Sequence, residues 1–154
     1  MGKLGTVIGL AFSGFGIFAG FSAFFTFMLY YSNYQASVWA LISGIIAAVN
    51  FHLMILFYRD KLESWHSVNT LKDIQYLAFF ALLFGTTGII WYLFKIIYYT
   101  LPILPVDDSM QIAAVWAFMT AKWGVGLYFI TNKYTKYIEE ISPRLLNTGR
   151  SRYY

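Results

Sequence analysis

The sequence contains no cysteine. That excludes structural disulfides, thiolate metal sites and a Cys-x-x-Cys-His anchor for a prosthetic group, and leaves the redox compartment unreadable. Charge is scarce as well. Asp, Glu, Lys and Arg make up 12% of the 154 residues, about half of what a soluble chain carries. Two of the three prolines fall in Leu101-Pro102-Ile103-Leu104-Pro105, where they stop a helix. There is no Gly-x-x-x-x-Gly-Lys phosphate loop, no His-Glu-x-x-His and no Gly-x-Ser-x-Gly elbow. Nor do the acidic residues sit within apolar segments as a proton relay or cation site. Nothing here argues for an enzyme.

What the chain has in abundance is apolar length: 59% of its residues are hydrophobic and 21% aromatic. Crossing about 30 Å of hydrocarbon at about 1.5 Å per residue takes roughly 20 apolar residues. Four segments reach that length, Gly5 to Tyr30, Val38 to Tyr58, Gln75 to Tyr98 and Met110 to Thr131. The expected fold is therefore all-α, a polytopic membrane protein built as a four-transmembrane-helix bundle. Its net charge of +4 does not form a basic patch beside stacking aromatics, so no nucleic-acid partner is expected. Instead Lys3 precedes the first span, Arg59, Lys61 and Lys72 separate spans two and three, and Lys133, Lys136, Arg144, Arg150 and Arg152 follow span four. The other two connections hold no Lys or Arg, which predicts that both termini are cytosolic.

The run after Lys3 starts like a signal peptide but is too long for a cleaved one, and reads as the first span. Met1-Gly2-Lys3-Leu4-Gly5-Thr6 also fits an acylation pattern, although one acyl chain adds little to a chain that crosses the bilayer four times. No linker, repeat or low-complexity tract divides the chain. The domain reading is one transmembrane unit over 1–146 and a basic cytosolic tail over 147–154, with Lys133 to Leu146 expected as a short amphipathic helix on the cytosolic surface. Gly5, Gly9, Ser13, Gly16, Gly20, Gly44 and Ala48 recur at helical spacing, and small faces of this kind let apolar helices approach closely in lipid. Self-association through such faces is a further expectation. Trp39, Trp65 and the tyrosines at span ends read as interfacial anchors.

Inside the spans the residues costly to place are Asn50, His52, Lys122 and, nearer an interface, Lys95. Lys122 stands mid-span, where a charge costs on the order of 2.5–3.5 kcal/mol, and no carboxylate shares its depth. Carbonyls and hydroxyls of the bundle, a wet cavity or an anionic ligand must offset it. His52 is the only histidine within a span, since His66 lies in a connection. Either it is a neutral imidazole bonded to a neighbouring helix, or it is a ligand. Thr87, Trp91, Lys95 and Tyr98 share a face of span three. That face suits a flat anion, and equally a lysine snorkelling to the interface.

Ala11-Phe12-Ser13-Gly14 with Ala19-Gly20-Phe21-Ser22, His52-Leu53-Met54, and above all Val115-Trp116-Ala117-Phe118 followed by Lys122-Trp123 resemble the haem-responsive-gene haem transporters, solute carrier family 48, over about Ala11 to Leu146. The resemblance implies a four-span permease that moves haem into the cytosol, with haem as substrate and no permanently bound cofactor. It implies a role in haem transfer for His52, which matches the family's span-two histidine, as a transient ligand to haem iron. It also places Lys133 and Tyr134 on a motif after span four, of which Ile130, Thr131 and Asn132 depart. The loop Tyr99 to Ser109 lacks the histidine that some members carry. Tyr98 or Tyr99 is the candidate oxygen ligand in its place, Lys122 the candidate propionate partner, and Trp116 and the phenylalanines the cover for the porphyrin faces.

Two rivals stay open: a structural or assembly subunit in which Lys122 and His52 only specify packing, and a haem-retaining cytochrome-like subunit, which usually needs two axial histidines. Glu139-Glu140-Ile141-Ser142-Pro143-Arg144-Leu145-Leu146 resembles an acidic dileucine sorting signal with one residue too many. Both the plasma membrane and the endosomal or lysosomal membrane fit.

Overall fold

A computed structural model describes the backbone of residues 3–150 and the side chains of residues 3–143. Four long helices carry the chain: α1 (Lys3–Phe25), α2 (Tyr34–Tyr58), α4 (Val68–Tyr99) and α5 (Met110–Arg150), with a single turn of helix, α3 (Leu62–Trp65), between α2 and α4. No strand occurs among the described residues. All four are long and apolar enough to span a membrane, as the composition required, and the protein is a multi-pass membrane protein.

Local chemistry sets the helix ends. The last turn of α1 widens into a π-helical turn, Thr26–Tyr30, where the Thr26 hydroxyl donates to the Ser22 carbonyl at 2.8 Å. Asn33 caps α2 by accepting from the Ala36 N–H at 3.0 Å, which satisfies one of the orphan donors of a first turn. The same side chain donates to the carbonyls of Val106 (2.8 Å) and Ser109 (3.2 Å), tying the two connections at that end together. Ser67 caps α4 through the Thr70 N–H at 3.2 Å. Thr100, left-handed at φ 52°, stops it ahead of Pro102.

The helices outrun the apolar segments. α2 starts at Tyr34 rather than Val38, and α4 at Val68 rather than Gln75, because polar first turns hydrogen-bond as well as apolar ones; apolarity marks what lies in lipid, not where a helix ends. For the same reason the expected separate amphipathic helix over Lys133–Leu146 is not formed. Polarity changes after Thr131, but the backbone ladder does not break, and α5 continues to Arg150. Its 41 residues extend about 60 Å, twice the hydrocarbon thickness. Met1, Gly2 and residues 151–154 of the expected tail lie outside the described residues.

Neighbour order differs from chain order: α1 packs on α2, α2 on α5, and α5 on α4. Small residues make these approaches. A Cβ on Gly20 would stand 2.6 Å from the Gly44 Cα, and one on Gly85 2.6 Å from the Ala121 backbone nitrogen. Two apolar clusters fill the interior. One, holding Leu53, Leu56, Leu62, Leu71, Leu127 and Tyr134, lies at the α3 end. The other, around Ala36, Trp39, Tyr92, Ala113 and Ala117, lies towards the opposite end, where the Trp39 indole N–H donates to the Tyr92 hydroxyl at 2.9 Å. Asn50 is structural: its amide donates to the Ile46 carbonyl at 2.9 Å and across to the Trp123 carbonyl at 3.2 Å, joining α2 to α5. The exposed phenylalanines of α1 and α4, such as Phe15, Phe18 and Phe80, form the surface that lipid covers.

Candidate functional site

His52 lies two turns before the end of α2, and the chain that follows turns back through α3. That turn brings His66 onto His52, with the two Nε2 atoms 3.1 Å apart and the rings edge to face, centroids 5.3 Å apart. Trp65 closes over the pair, 5.9 Å from the His52 ring. His66 Nδ1 is buried without a partner. Burial, and then the charge of His52, hold the His66 imidazole below its ordinary value. The sequence reading, which took His52 as a solitary imidazole, missed this partner, because His66 is 14 residues on in a polar connection whose return could not be read from periodicity. The one available signal was that the chain has two histidines in all.

Lys122 sits elsewhere. It lines a cleft of about 140 Å³ between α1 and α5, with Phe12, Gly16, Ser43, Trp116 and Trp123. Its Nζ lies 4.4 Å from the centre of the Trp123 ring and 5.2 Å from that of Phe12. Among the described residues it makes no ion pair. Ring faces attract an ammonium by their quadrupoles, but accept none of its N–H bonds in the way an oxygen does. Ser43, whose Oγ also has no partner, lies nine residues before His52 on α2. The cleft is therefore about 13.5 Å along the helix from the histidine pair, and the structure keeps the two in separate places.

Trp116 falls within the Lys122 cleft. Tyr98 and Tyr99 stand at the far end of α4, 69% and 62% exposed, packed on each other, with Tyr98 also stacked on Phe94. Trp91 and Lys95 face outward on the same helix, Nζ 4.9 Å over the indole, the geometry of a snorkelling lysine rather than of a lined passage. At the α3 end Lys133 is exposed. Tyr134 is fully buried, its ring stacked on Phe57 at 4.5 Å and 11°, and its hydroxyl has no partner. Along the molecule the order is thus Tyr98 and Tyr99, the Lys122 cleft, the histidine pair, then Lys133 and Tyr134. No group of three or more His, Cys, Asp or Glu capable of holding a free metal ion occurs among the described residues.

This geometry can be set beside known proteins. Residues 71–123, from the start of α4 through Trp123, match the family described as haem-transporter, endosomal/lysosomal, haem-responsive gene. The heme transporter hrg-1 of Caenorhabditis elegans is 27% identical over 137 residues, which cover 84% of this chain and 68% of that protein. The chain is similar to the haem-responsive-gene haem transporters. The matched family segment contains Tyr98, Tyr99, Trp116 and the whole α5 wall of the Lys122 cleft; His52, Lys133 and Tyr134 lie outside it. No solved structure matches.

Proposed function

We propose that this chain carries haem across an endosomal or lysosomal membrane into the cytosol. The observation that carries the reading is its similarity, over most of its length, to a protein named as a heme transporter, together with the family match. The family description favours an internal membrane over the plasma membrane.

The chain's own groups supply the chemistry. Haem meets the exposed Tyr98 and Tyr99 first, whose phenol oxygens suit ferric iron. The Lys122 cleft then holds an acidic arm at mid-membrane depth. His52 is the ligand towards the cytosolic end. In the structure its Nε2 faces His66 Nε2, so the two rings share one hydrogen bond, and iron reaches His52 Nε2 only by displacing His66. A ligand that must compete with a neighbouring imidazole is exchangeable, which a carrier needs and a resident cofactor site does not. Release passes Lys133, exposed on the α5 overhang. In haem-deficient cells, expression of the chain should restore growth on supplied haem. His52→Ala should remove most of the uptake at normal protein abundance; unchanged uptake eliminates His52 from the pathway.

One observation favours a second reading. A haem-retaining subunit needs paired histidines, and His52 and His66 are paired in space. Their nitrogens, at 3.1 Å, are closer than the roughly 4 Å spanned by two metal–nitrogen bonds of about 2.0 Å each, so iron between them requires the rings to part. Purified protein carrying stoichiometric haem with a two-imidazole spectrum would establish retention.

A further inference from the structure

The cleft between α1 and α5 holds three hydrogen-bond donors and gives them no acceptor. Among the described residues Lys122 has no carboxylate or carbonyl partner, and the buried Ser43 Oγ and Trp123 Nε1 are both unpaired. Serine in a helix ordinarily donates to the carbonyl four residues back. Here that carbonyl, of Trp39, takes the Thr120 hydroxyl at 3.3 Å instead. The ammonium and the indole can only donate, and the hydroxyl is free to. Buried donors without acceptors are costly, and a half-buried ammonium at mid-span is costly as well. Donors of this kind call for a group that only accepts, an anion such as a carboxylate, and they reject a metal cation.

We propose that this cleft is a carboxylate subsite that takes one propionate arm of haem, with Lys122 as its counter-charge and Ser43 and Trp123 as its neutral donors. The proposal rests on the haem-transport reading above and extends its Lys122 contact to two residues not otherwise assigned. Size and depth decide the occupant. About 140 Å³ is below the roughly 300–1,000 Å³ of pockets that enclose a whole drug-sized ligand. An arm enters, therefore, and the macrocycle lies across the mouth against Phe12 and Trp116. Lipid headgroups and fatty acids also bring acidic oxygens, but they hold them at the interface. Ser43 is nine residues into α2 and fifteen from its other end, which puts it about 13.5 Å from the nearer helix end, close to the centre of a hydrocarbon layer about 30 Å thick. A carboxylate at that depth belongs to a molecule in transit.

The test is absorbance titration of the full chain in lipid nanodiscs with haem and with its dimethyl ester, alongside haem uptake in cells. The wild type should bind haem at least about tenfold more tightly than the diester, the discrimination expected of a hydrogen-bonded charge. Lys122→Met should erase that preference and Lys122→Arg retain it. Ser43→Ala, which fits a packed helix without strain, should narrow it by a few-fold. A preference that survives in Lys122→Met, or a wild type that transports haem without distinguishing acid from ester, overturns the subsite and leaves transport standing. A wild type with no haem uptake overturns the transport reading itself. Lys122-dependent binding of oleate with no acid-over-ester preference for haem overturns the propionate assignment in favour of a lipid carboxylate.

Discussion

Two imidazoles share a hydrogen bond only while at least one of them has a lone pair to give. His52 and His66 hold such a bond at 3.1 Å, in a place where burial and the neighbouring ring both disfavour charge on His66. Because the folded value of His66 is depressed below its ordinary 6.5, the folded chain binds fewer protons than the unfolded one around and below that pH. The contribution of the pair is fully present above about 6.5 and is lost as the pH falls through the folded value of His66. A chain with only two histidines suits nitrogen-15 histidine NMR. His66 should titrate below the ordinary value in the wild type, with His66→Gln assigning the two signals. Titration of His66 at or above 6.5 would mean that the pair does not exist in the membrane.

Helix pairing carries the next level of order, and it rests on absent side chains. In lipid no hydrophobic force brings apolar helices together, so contact area at short range decides which faces meet. Gly85 is the sharpest case: a methyl group there stands 2.6 Å from the Ala121 backbone nitrogen and 2.8 Å from the Ala117 carbonyl oxygen, and backbone cannot swing aside as a side chain does. Gly85→Ala should therefore push α4 from α5 and cost about 1–3 kcal/mol, the usual range for overpacking, seen as a lower midpoint in thermal unfolding in detergent. Gly14, whose added Cβ meets only the Phe51 ring at 3.7 Å, should tolerate alanine with little change. The four spans were legible in the sequence because lipid demands a continuous apolar length, and Lys122 because a charge at mid-span must be accounted for. The pairing order was not legible, since glycines mark close approach without naming the partner. Nor was the unbroken run of α5, whose change of polarity looked like an end, nor the return of His66, which depends on a turn of four residues with no pattern of its own. Ser43 gave no signal in the sequence and Trp123 only its place in a resembling string, because a missing acceptor is visible only in three dimensions.

For the whole molecule the decisive asymmetry is electrostatic. Arg59, Lys61, Lys72, Lys133 and Lys136 gather at the α3 end; Lys3 joins them, because α1 runs against α2 with Gly9 beside Met54. The opposite end carries Asp107 and Asp108 and no basic residue in its two connections. Cytosolic retention of positive loops predicts that such a chain lies with the α3 end inside; under the proposed haem transport, the histidine pair would then be on the release side and Tyr98 and Tyr99 on the side where haem arrives. A chain without cysteine needs no background removed before this is measured. Glu63→Cys and Ile103→Cys, both at exposed positions, should label oppositely with an impermeant maleimide: Ile103→Cys from the non-cytosolic face, Glu63→Cys only after the membrane is opened to the cytosolic side. The reverse pattern would put His52 and His66 where haem arrives and the tyrosines where it leaves. With the family's direction of transport kept, iron would then meet its competing imidazoles first, and the histidine pair would act in capture rather than in release.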